Sequence, residues 1–354
     1  MKKDLVSIIV LSYNNWDYYK ECLDSIFSQN YKNIELIFSN DGYEHYNKIA
    51  IEKYINKNKS SNIKNVILNY NNKNLGTVKH LNKLLKISNG NYIKTIAVDD
   101  LLYEPSVIKN LVNTLKKSNK LFCCGFIYAY DENMINLLKK YPDPKMFNKL
   151  KKSSVKEKCK MLSISAKKTY PAPGRFYSKK YFEKYGFYDE EYILQEDLML
   201  LLTSLEKGLD EAFYFKPVVK YRLGGMSNGK RKNCIFEEDF NKFKTNYRLK
   251  NFGLEAKKIK QDIVIWGTGS LYEKYEDFFS GFKIKYFVDS DKKKKKNSLN
   301  GKKIYLPKKL LEESKNKITV VICSSFYFEI KDWLTKEGFV EDKDFVYVEL
   351  IKFN

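Results

Sequence analysis

Asn89-Gly-Asn-Tyr-Ile-Lys-Thr-Ile-Ala-Val-Asp-Asp-Leu101 is the stretch from which the fold can be read. Its apolar, β-prone run from Tyr92 to Val98 ends abruptly in two adjacent carboxylates, Asp99 and Asp100. Pro105 follows closely, so a strand cannot continue far. A buried strand that delivers paired acids to the end of a sheet places them where open α/β sheets bind ligands. Hard oxygen ligands at such a point suit Mg²⁺ or Mn²⁺ carrying a phosphate group. The same residues also read as a polar turn closing a strand, since Asp is a common turn residue.

Outward from this stretch, strands and helices alternate. Val6 to Leu11 is a continuous apolar run rich in β-branched residues, the pattern of a buried parallel strand. Ser12-Tyr13-Asn14-Asn15 is a polar turn. Trp16 to Gln29 has helical spacing, with Tyr19, Cys22, Leu23, Ile26 and Phe27 on one stripe. Ile34 to Phe38 is a second strand ending in Ser39-Asn40-Asp41-Gly42. Strand, helix, strand predicts a right-handed βαβ unit. Both strand ends then carry short polar side chains to one sheet edge. A third strand is expected at Val66 to Asn69. A helix opening at Asn74-Leu-Gly76-Thr follows, with Gly90 as its C-cap. Val107 to Leu115 reads as a helix and Leu121 to Tyr128 as a strand.

Residues 131–170 are lysine-rich with weak periodicity and give no assignment. Tyr192 to Leu205 reads as a strongly apolar helix with Glu196 and Asp197 in its first turn. Acids there complement the helix dipole, and only one of two adjacent residues faces a given pocket. Phe213 to Tyr221 is a short strand leading into Arg222-Leu-Gly-Gly-Met-Ser227. Gly224, Gly225 and Gly229 among Lys230, Arg231 and Lys232 predict a glycine-rich basic loop.

The chain of 354 residues predicts two domains. Hydrophobic residues make up 43%, enough for real cores. The formal net charge is +22, from 65 lysines and arginines of which only Arg175, Arg222, Arg231 and Arg248 are arginine. Base-reading proteins lean on arginine, and no nucleic-acid motif is present, so no nucleic-acid partner is expected. The lysine excess reflects either biased codon usage or a fit to anionic lipid headgroups. The six cysteines, at 22, 123, 124, 159, 234 and 323, form no CxxC pair. They read as reduced core residues of a cytoplasmic protein. The short apolar run after Met1 reads as a strand rather than a signal peptide, and no stretch is apolar enough to span a bilayer.

Residues 251–261 are polar and are expected to link a first domain, 1–250, to a second, 262–354. There the pattern restarts. Ile263-Val-Ile-Trp-Gly267-Thr-Gly269-Ser is a strand and a Gly-rich turn, and Tyr286-Phe-Val-Asp289 is a strand ending in an acid. That resembles a dinucleotide fingerprint without its third glycine, since Leu271, Tyr272 and Glu273 follow. Crowding there hinders close approach of a pyrophosphate. Either this unit holds a second nucleotide or nucleotide-sugar site, or it is a packing or oligomerisation module.

The first 250 residues resemble the family 2 glycosyltransferases. Ser7 to Asn14 is similar to that family's opening strand and base-stacking tyrosine, Tyr13. Ile34 to Gly42 is similar to its second strand, with Asp41 where the base-recognising aspartate sits. Asn74-Leu-Gly76 and Asn82 match the helix before the acids, and Gly90 to Asp100 the strand ending in a DXD-type motif. Gln195-Glu-Asp197 resembles the ED motif, and Tyr221-Arg222 to Ser227 the YR…S element. The departures are Ala97 for the motif's first acid, Leu81 before Asn82, and Gly224 for a histidine after the YR pair.

The resemblance implies an α/β type A glycosyltransferase fold, a mostly parallel sheet flanked by helices, plus a smaller Rossmann-like domain. It implies an inverting transfer from a UDP-sugar to a hydroxyl of a glycan or glycolipid acceptor, such as lipooligosaccharide or capsule. Asp197, ahead of Glu196, is the implied base. Asp99 and Asp100 are the implied Mn²⁺ or Mg²⁺ ligands. Ser12, Tyr13, Asn14, Asp41, Asn82, Asp99, Arg222, Lys230 and Arg231 are the implied donor-binding residues. Peripheral contact with an anionic membrane and oligomerisation through the second domain are further expectations. The competing readings are nucleotidyl transfer to a sugar phosphate and a non-catalytic basic protein binding an acidic polymer or membrane. Nucleotidyl transfer normally uses a Gly-rich loop with a basic residue after the first strand, which Ser12-Tyr13-Asn14-Asn15 lacks.

Overall fold

The computed structural model describes residues 4–165, 169–224, 233–294 and 298–353. The chain divides into two compact units, Met1–Asn241 and Lys242–Asn354.

In the first unit the strands are β1 (Val6–Ser12), β2 (Ile34–Asn40), β3 (Ile63–Tyr70), β4 (Tyr92–Ala97), β5 (Leu101–Leu102), β6 (Phe122–Tyr130), β7 (Leu137–Tyr141), β8 (Arg175–Ser178) and β9 (Ala212–Arg222). Among the described residues they form one sheet, ordered β3-β2-β1-β4-β8-β6-β9-β5, with β7 paired to β6. The half from β3 to β4 is parallel. Beyond it, β8 runs antiparallel to both β4 and β6. Every residue of β2 is buried, and all but one of β1. Helices on both faces explain the unbroken apolar runs of these central strands.

The helices are α1 (Tyr19–Phe27), α2 (Lys48–Asn58), α3 (Thr77–Ile87), α4 (Val107–Ser118), α5 (Pro144–Lys152), α6 (Val155–Ile164), α7 (Lys179–Tyr185) and α8 (Glu196–Glu206). The stripe expected on α1 is buried in full. Gly90 is not a helix cap. Helix α3 ends at Ile87 with an extended Ser88 after it. A Cβ on Gly90 would lie 2.5 Å from the Ser7 nitrogen, so that glycine permits close packing beside β1. Helix α2 escaped the sequence reading because only Ile51 and Ile55 of it are buried. The stretch unassigned from sequence contains β7, α5 and α6, the last opened by a capping box of Ser154 and Glu157.

Helix α9 (Asn233–Phe243) carries the chain into the second unit. The segment expected as a linker is structured there. It holds most of α10 (Lys250–Phe252) and the strand β10 (Leu254–Glu255), which pairs with β17 (Ile351–Lys352). The main sheet of this unit contains β11 (Asp262–Trp266), β12 (Lys283–Val288), β13 (Ser298–Leu299), β14 (Lys302–Tyr305), β15 (Thr319–Ile322) and β16 (Phe345–Tyr347). Their order is β13-β14-β12-β11-β15-β16, and all pairings but β13–β14 are parallel. The five parallel strands therefore follow the doubly wound order 3-2-1-4-5. Helices α11 (Ser270–Tyr275) and α12 (Tyr327–Lys336) follow β11 and β15.

Candidate active site

Asp99 and Asp100 leave the C-terminal end of β4 almost fully buried, at 8% and 2% exposure. Arg222, the last residue of β9, clamps them. Its backbone N–H donates to Asp100 Oδ1 at 3.0 Å and its Nε to the Asp99 carbonyl at 2.9 Å. Its terminal nitrogens donate to the Glu132 carbonyl and, at 2.6 Å, to Glu21 Oε2. The guanidinium also lies 4.3 Å from the Tyr18 ring centroid. Three of the five N–H groups of the Arg222 guanidinium are thus given to protein acceptors.

Burial raises the pKa of both aspartates, and the Asp99 charge raises Asp100 further. Two desolvated carboxylates side by side resist joint ionisation. A divalent cation held by them would favour the charged form of both. Among the described residues no cluster of three or more His, Cys, Asp or Glu side chains can hold a metal ion. Two carboxylates are nevertheless a donor set that Mg²⁺ or Mn²⁺ accepts when phosphate oxygens and water complete the shell. Beneath them lies Lys94, buried inside β4, with Nζ donating to the carbonyls of Thr95 at 2.6 Å and Pro173 at 2.8 Å. Burial pushes its pKa down to about 8, against the pull of Asp100.

Glu196 and Asp197 form the first turn of α8. The side-chain oxygens of Asp239 accept from the N–H groups of Ile193 at 3.1 Å and Leu194 at 2.8 Å, fixing the turn into the helix. The two acids diverge, as adjacent helical residues must. Asp197 Oδ2 lies 3.4 Å from Nη2 of Arg175, whose Nη1 donates to the Asp197 carbonyl at 2.7 Å. Nε and Nη2 of this buried guanidinium both donate to the Tyr170 carbonyl. Glu196 Oε2 is sealed from solvent and has no hydrogen-bond partner. Burial, then the Asp197 charge, push its pKa up to about 8.

Arg175 opens β8, which runs antiparallel to β4 with Ile93 opposite Tyr177. Its position is therefore near the C-terminal end of β4. Through Arg175 the ED pair is anchored to the sheet edge that carries Asp99 and Asp100. The sequence reading missed Arg175 and Lys94. For Arg175 a signal existed. With four arginines against 61 lysines, each arginine marks a place where a planar fork is required. Arg175, Arg222 and Arg248 are each buried, and each is ion-paired.

The expected donor residues cluster at the ends of β1 and β2. Ser12 Oγ donates to the Ser39 carbonyl and accepts from Asn40 Nδ2, both at 3.1 Å. Tyr13 is half-buried, meeting Tyr43 edge to face with centroids 5.5 Å apart. Asn14 is exposed. Asp41 accepts from Asn71 Nδ2 at 2.8 Å and from the N–H groups of Leu75 and Gly76, each at 3.0 Å. Three of its roughly four acceptor positions are filled, leaving one for a ligand N–H. Asn82 is different. Its amide donates to the Tyr188 carbonyl at 2.9 Å and accepts from the Tyr188 N–H at 3.1 Å. It ties α3 to the 188–190 turn. Lys230 and Arg231 lie outside the described residues.

Two family models match the chain: Glycosyl transferase family 2 over residues 7–186, and C2185-like, N-terminal, over residues 259–345. An uncharacterised glycosyltransferase of Methanocaldococcus jannaschii is 26% identical over 268 residues, covering 75% of this chain and 85% of that relative. One of Rickettsia typhi is 35% identical over 125 residues. That match covers 34% of this chain and only 36% of the relative's length. Among solved structures, S. aureus TarS 1-349 in complex with UDP-GlcNAc superimposes with a TM-score of 0.50 at 17% identity. It covers 68% of this chain and 64% of that one, a likeness of fold. The family 2 model spans half of the chain and takes in β1, β2, β4 and the two aspartates beyond it, so the chain is a glycosyltransferase belonging to family 2.

Proposed function

We propose that the first unit is an inverting transferase that moves a sugar from a UDP-sugar to a hydroxyl of a surface-glycan acceptor, assisted by a divalent metal. The carrying observation is that the Asp99–Asp100 pair, clamped by Arg222, and Asp197, paired with Arg175, are anchored to one sheet edge.

The half-buried Tyr13 ring beside Tyr43 and the remaining acceptor position on Asp41 suit a uracil: an aromatic face and a partner for its N–H. Asp99 and Asp100 would hold the metal ion. When bound, it offsets the negative charge that builds on the diphosphate as the glycosidic bond breaks. Asp197 takes the proton of the acceptor hydroxyl as that oxygen attacks the anomeric carbon from the face opposite the leaving diphosphate. The Arg175 guanidinium orients this carboxylate. Glu196, held neutral near pH 7 by its surroundings, is unsuited to that role. Lys230 and Arg231, close in sequence to the Arg222 clamp, assist the leaving phosphates.

The β6–β7 hairpin suits an anionic bilayer, where such an acceptor is anchored. Ile135, Leu137 and Leu138 are exposed, and Lys139, Lys140, Lys145 and Lys149 follow in sequence. Apolar side chains flanked by lysines match the boundary between headgroups and acyl chains.

Asp197→Asn tests the assignment of the base. UDP release from a turned-over UDP-sugar should fall in kcat by roughly 10²–10⁴, with donor KM nearly unchanged. A variant of wild-type kcat would remove Asp197 from the mechanism.

A further inference from the structure

A cavity lies in the second unit, away from the paired aspartates. It measures about 980 Å³ and opens at the C-terminal ends of β11 and β15. There the sheet order reverses: β12 lies on one side of β11 and β15 on the other. Such a reversal leaves a crevice, the general ligand position in open α/β sheets.

Its walls select a class of ligand. Trp266 and Trp333 meet edge to face at 5.2 Å and, with Ile330, give an aromatic and aliphatic side suited to a flat heterocycle. Asp289, just past the end of β12, faces the cavity. Its Oδ1 accepts from the Asp291 N–H at 2.9 Å. Its Oδ2 accepts from Thr268 Oγ1 at 2.6 Å and from Lys294 Nζ at 3.0 Å. One acceptor position remains, and Lys294 is exposed enough at 39% to yield a second. Two acceptor positions on one fixed carboxylate match the two hydroxyls of a ribose cis-diol.

The two glycines of the turn do different things. Gly267 has φ +114, and a Cβ there would lie 2.3 Å from the Cys323 carbonyl, so it serves the approach of β11 to β15. A Cβ on Gly269 would meet nothing within 4 Å, leaving room for a ligand. The third glycine of a dinucleotide fingerprint would fall at position 272, where Tyr272 is buried against Phe279 and Phe287. That ring takes the place of the close helix–strand packing which a pyrophosphate site uses. The charges agree. Asp289, Asp291 and Glu329 face Lys274 and Lys294, while Glu349 is held by Arg248 at 2.9 Å. Among the described residues the cavity therefore carries no surplus of positive charge to hold two phosphates.

We infer that the crevice between β11 and β15 is a ligand site for a ribonucleoside of neutral or positive charge, its base against Trp266 and its ribose diol on Asp289. This site is independent of the donor site in the first unit.

Isothermal titration of the full chain with adenosine, S-adenosylmethionine, 2′-deoxyadenosine and NAD⁺ tests it. Adenosine or S-adenosylmethionine should bind, with 2′-deoxyadenosine and NAD⁺ each at least ~10-fold weaker than the better of the two. Asp289→Asn should weaken binding at least ~10-fold by removing a charged acceptor. Gly269→Leu, at an unstrained backbone with open space, should block it by filling the crevice. Asp100→Asn should leave it unchanged. Failure of both adenosine and S-adenosylmethionine to bind would overturn the inference. So would equal binding of the deoxy analogue, tighter binding of NAD⁺, or binding insensitive to both second-unit variants.

Discussion

Glu196 is the residue with the clearest pH signature. One of its carboxylate oxygens is sealed without a hydrogen bond, and its pKa stands at about 8 against about 4.3 for an unperturbed glutamate. Between those values the unfolded chain has released the proton and the folded chain still binds it. Stability therefore falls as pH rises through that window and levels off above about 8. Glu196→Gln removes the penalty. We expect its melting temperature to exceed that of the wild type at pH 8, by an amount worth on the order of a few kcal/mol, and to match it near pH 4. Equal melting curves at pH 8 would show that Glu196 ionises freely. At this scale the sequence was partly legible. Asp99, Asp100, Asp41 and the ED pair stand out as acids at the ends of apolar runs. Arg175 and Lys94 do not, because their partners, Asp197, Tyr170 and Pro173, lie 5 to 79 positions away in the chain. Asn82 stood out as well, but its bonds to the Tyr188 backbone, 106 positions on, did not.

Among the elements, the turn after β2 has little room to vary. Gly42 has φ +75, and a Cβ there would sit 2.3 Å from the Lys73 carbonyl carbon. That close approach brings the 74–76 turn under the Asp41 carboxylate, which fixes it through the Leu75 and Gly76 N–H groups. Gly42→Ala should lower stability by at least ~2 kcal/mol and weaken uridine nucleotide binding, measured by denaturant unfolding and by titration. An unchanged unfolding midpoint would mean that the turn shifts freely. The central strands were legible because burial on both faces writes a continuous apolar run. Helix α2 was not, because a helix with two buried residues leaves almost no periodic signal. The segment read as a linker shows the same limit. Strand β10 has two residues, and its pairing with β17 is a long-range fact that local composition does not encode.

For the whole molecule, the net charge of +22 gains meaning from where apolar side chains are exposed. No helix among the described residues is long and apolar enough to cross a membrane. With the β6–β7 hairpin at the surface, Ile135→Asp with Leu138→Asp should release the protein from vesicles containing anionic lipid. Wild-type binding should weaken steeply with salt, each lysine near the surface contributing about 1 kcal/mol. Cosedimentation would check both, and binding indifferent to the double variant would place the contact elsewhere. The role proposed for Asp99 and Asp100 is to hold a metal against a UDP-sugar's diphosphate. Its most direct test is the melting temperature of the full chain with UDP, with and without Mn²⁺, in the wild type and in Asp100→Asn. Ligand at 100 times its Kd stabilises a native state by about 2.7 kcal/mol. The predicted result is a UDP-induced rise that requires Mn²⁺ in the wild type and is lost in Asp100→Asn. A rise of equal size without Mn²⁺, one that survives in Asp100→Asn, or none with UDP at all would contradict it.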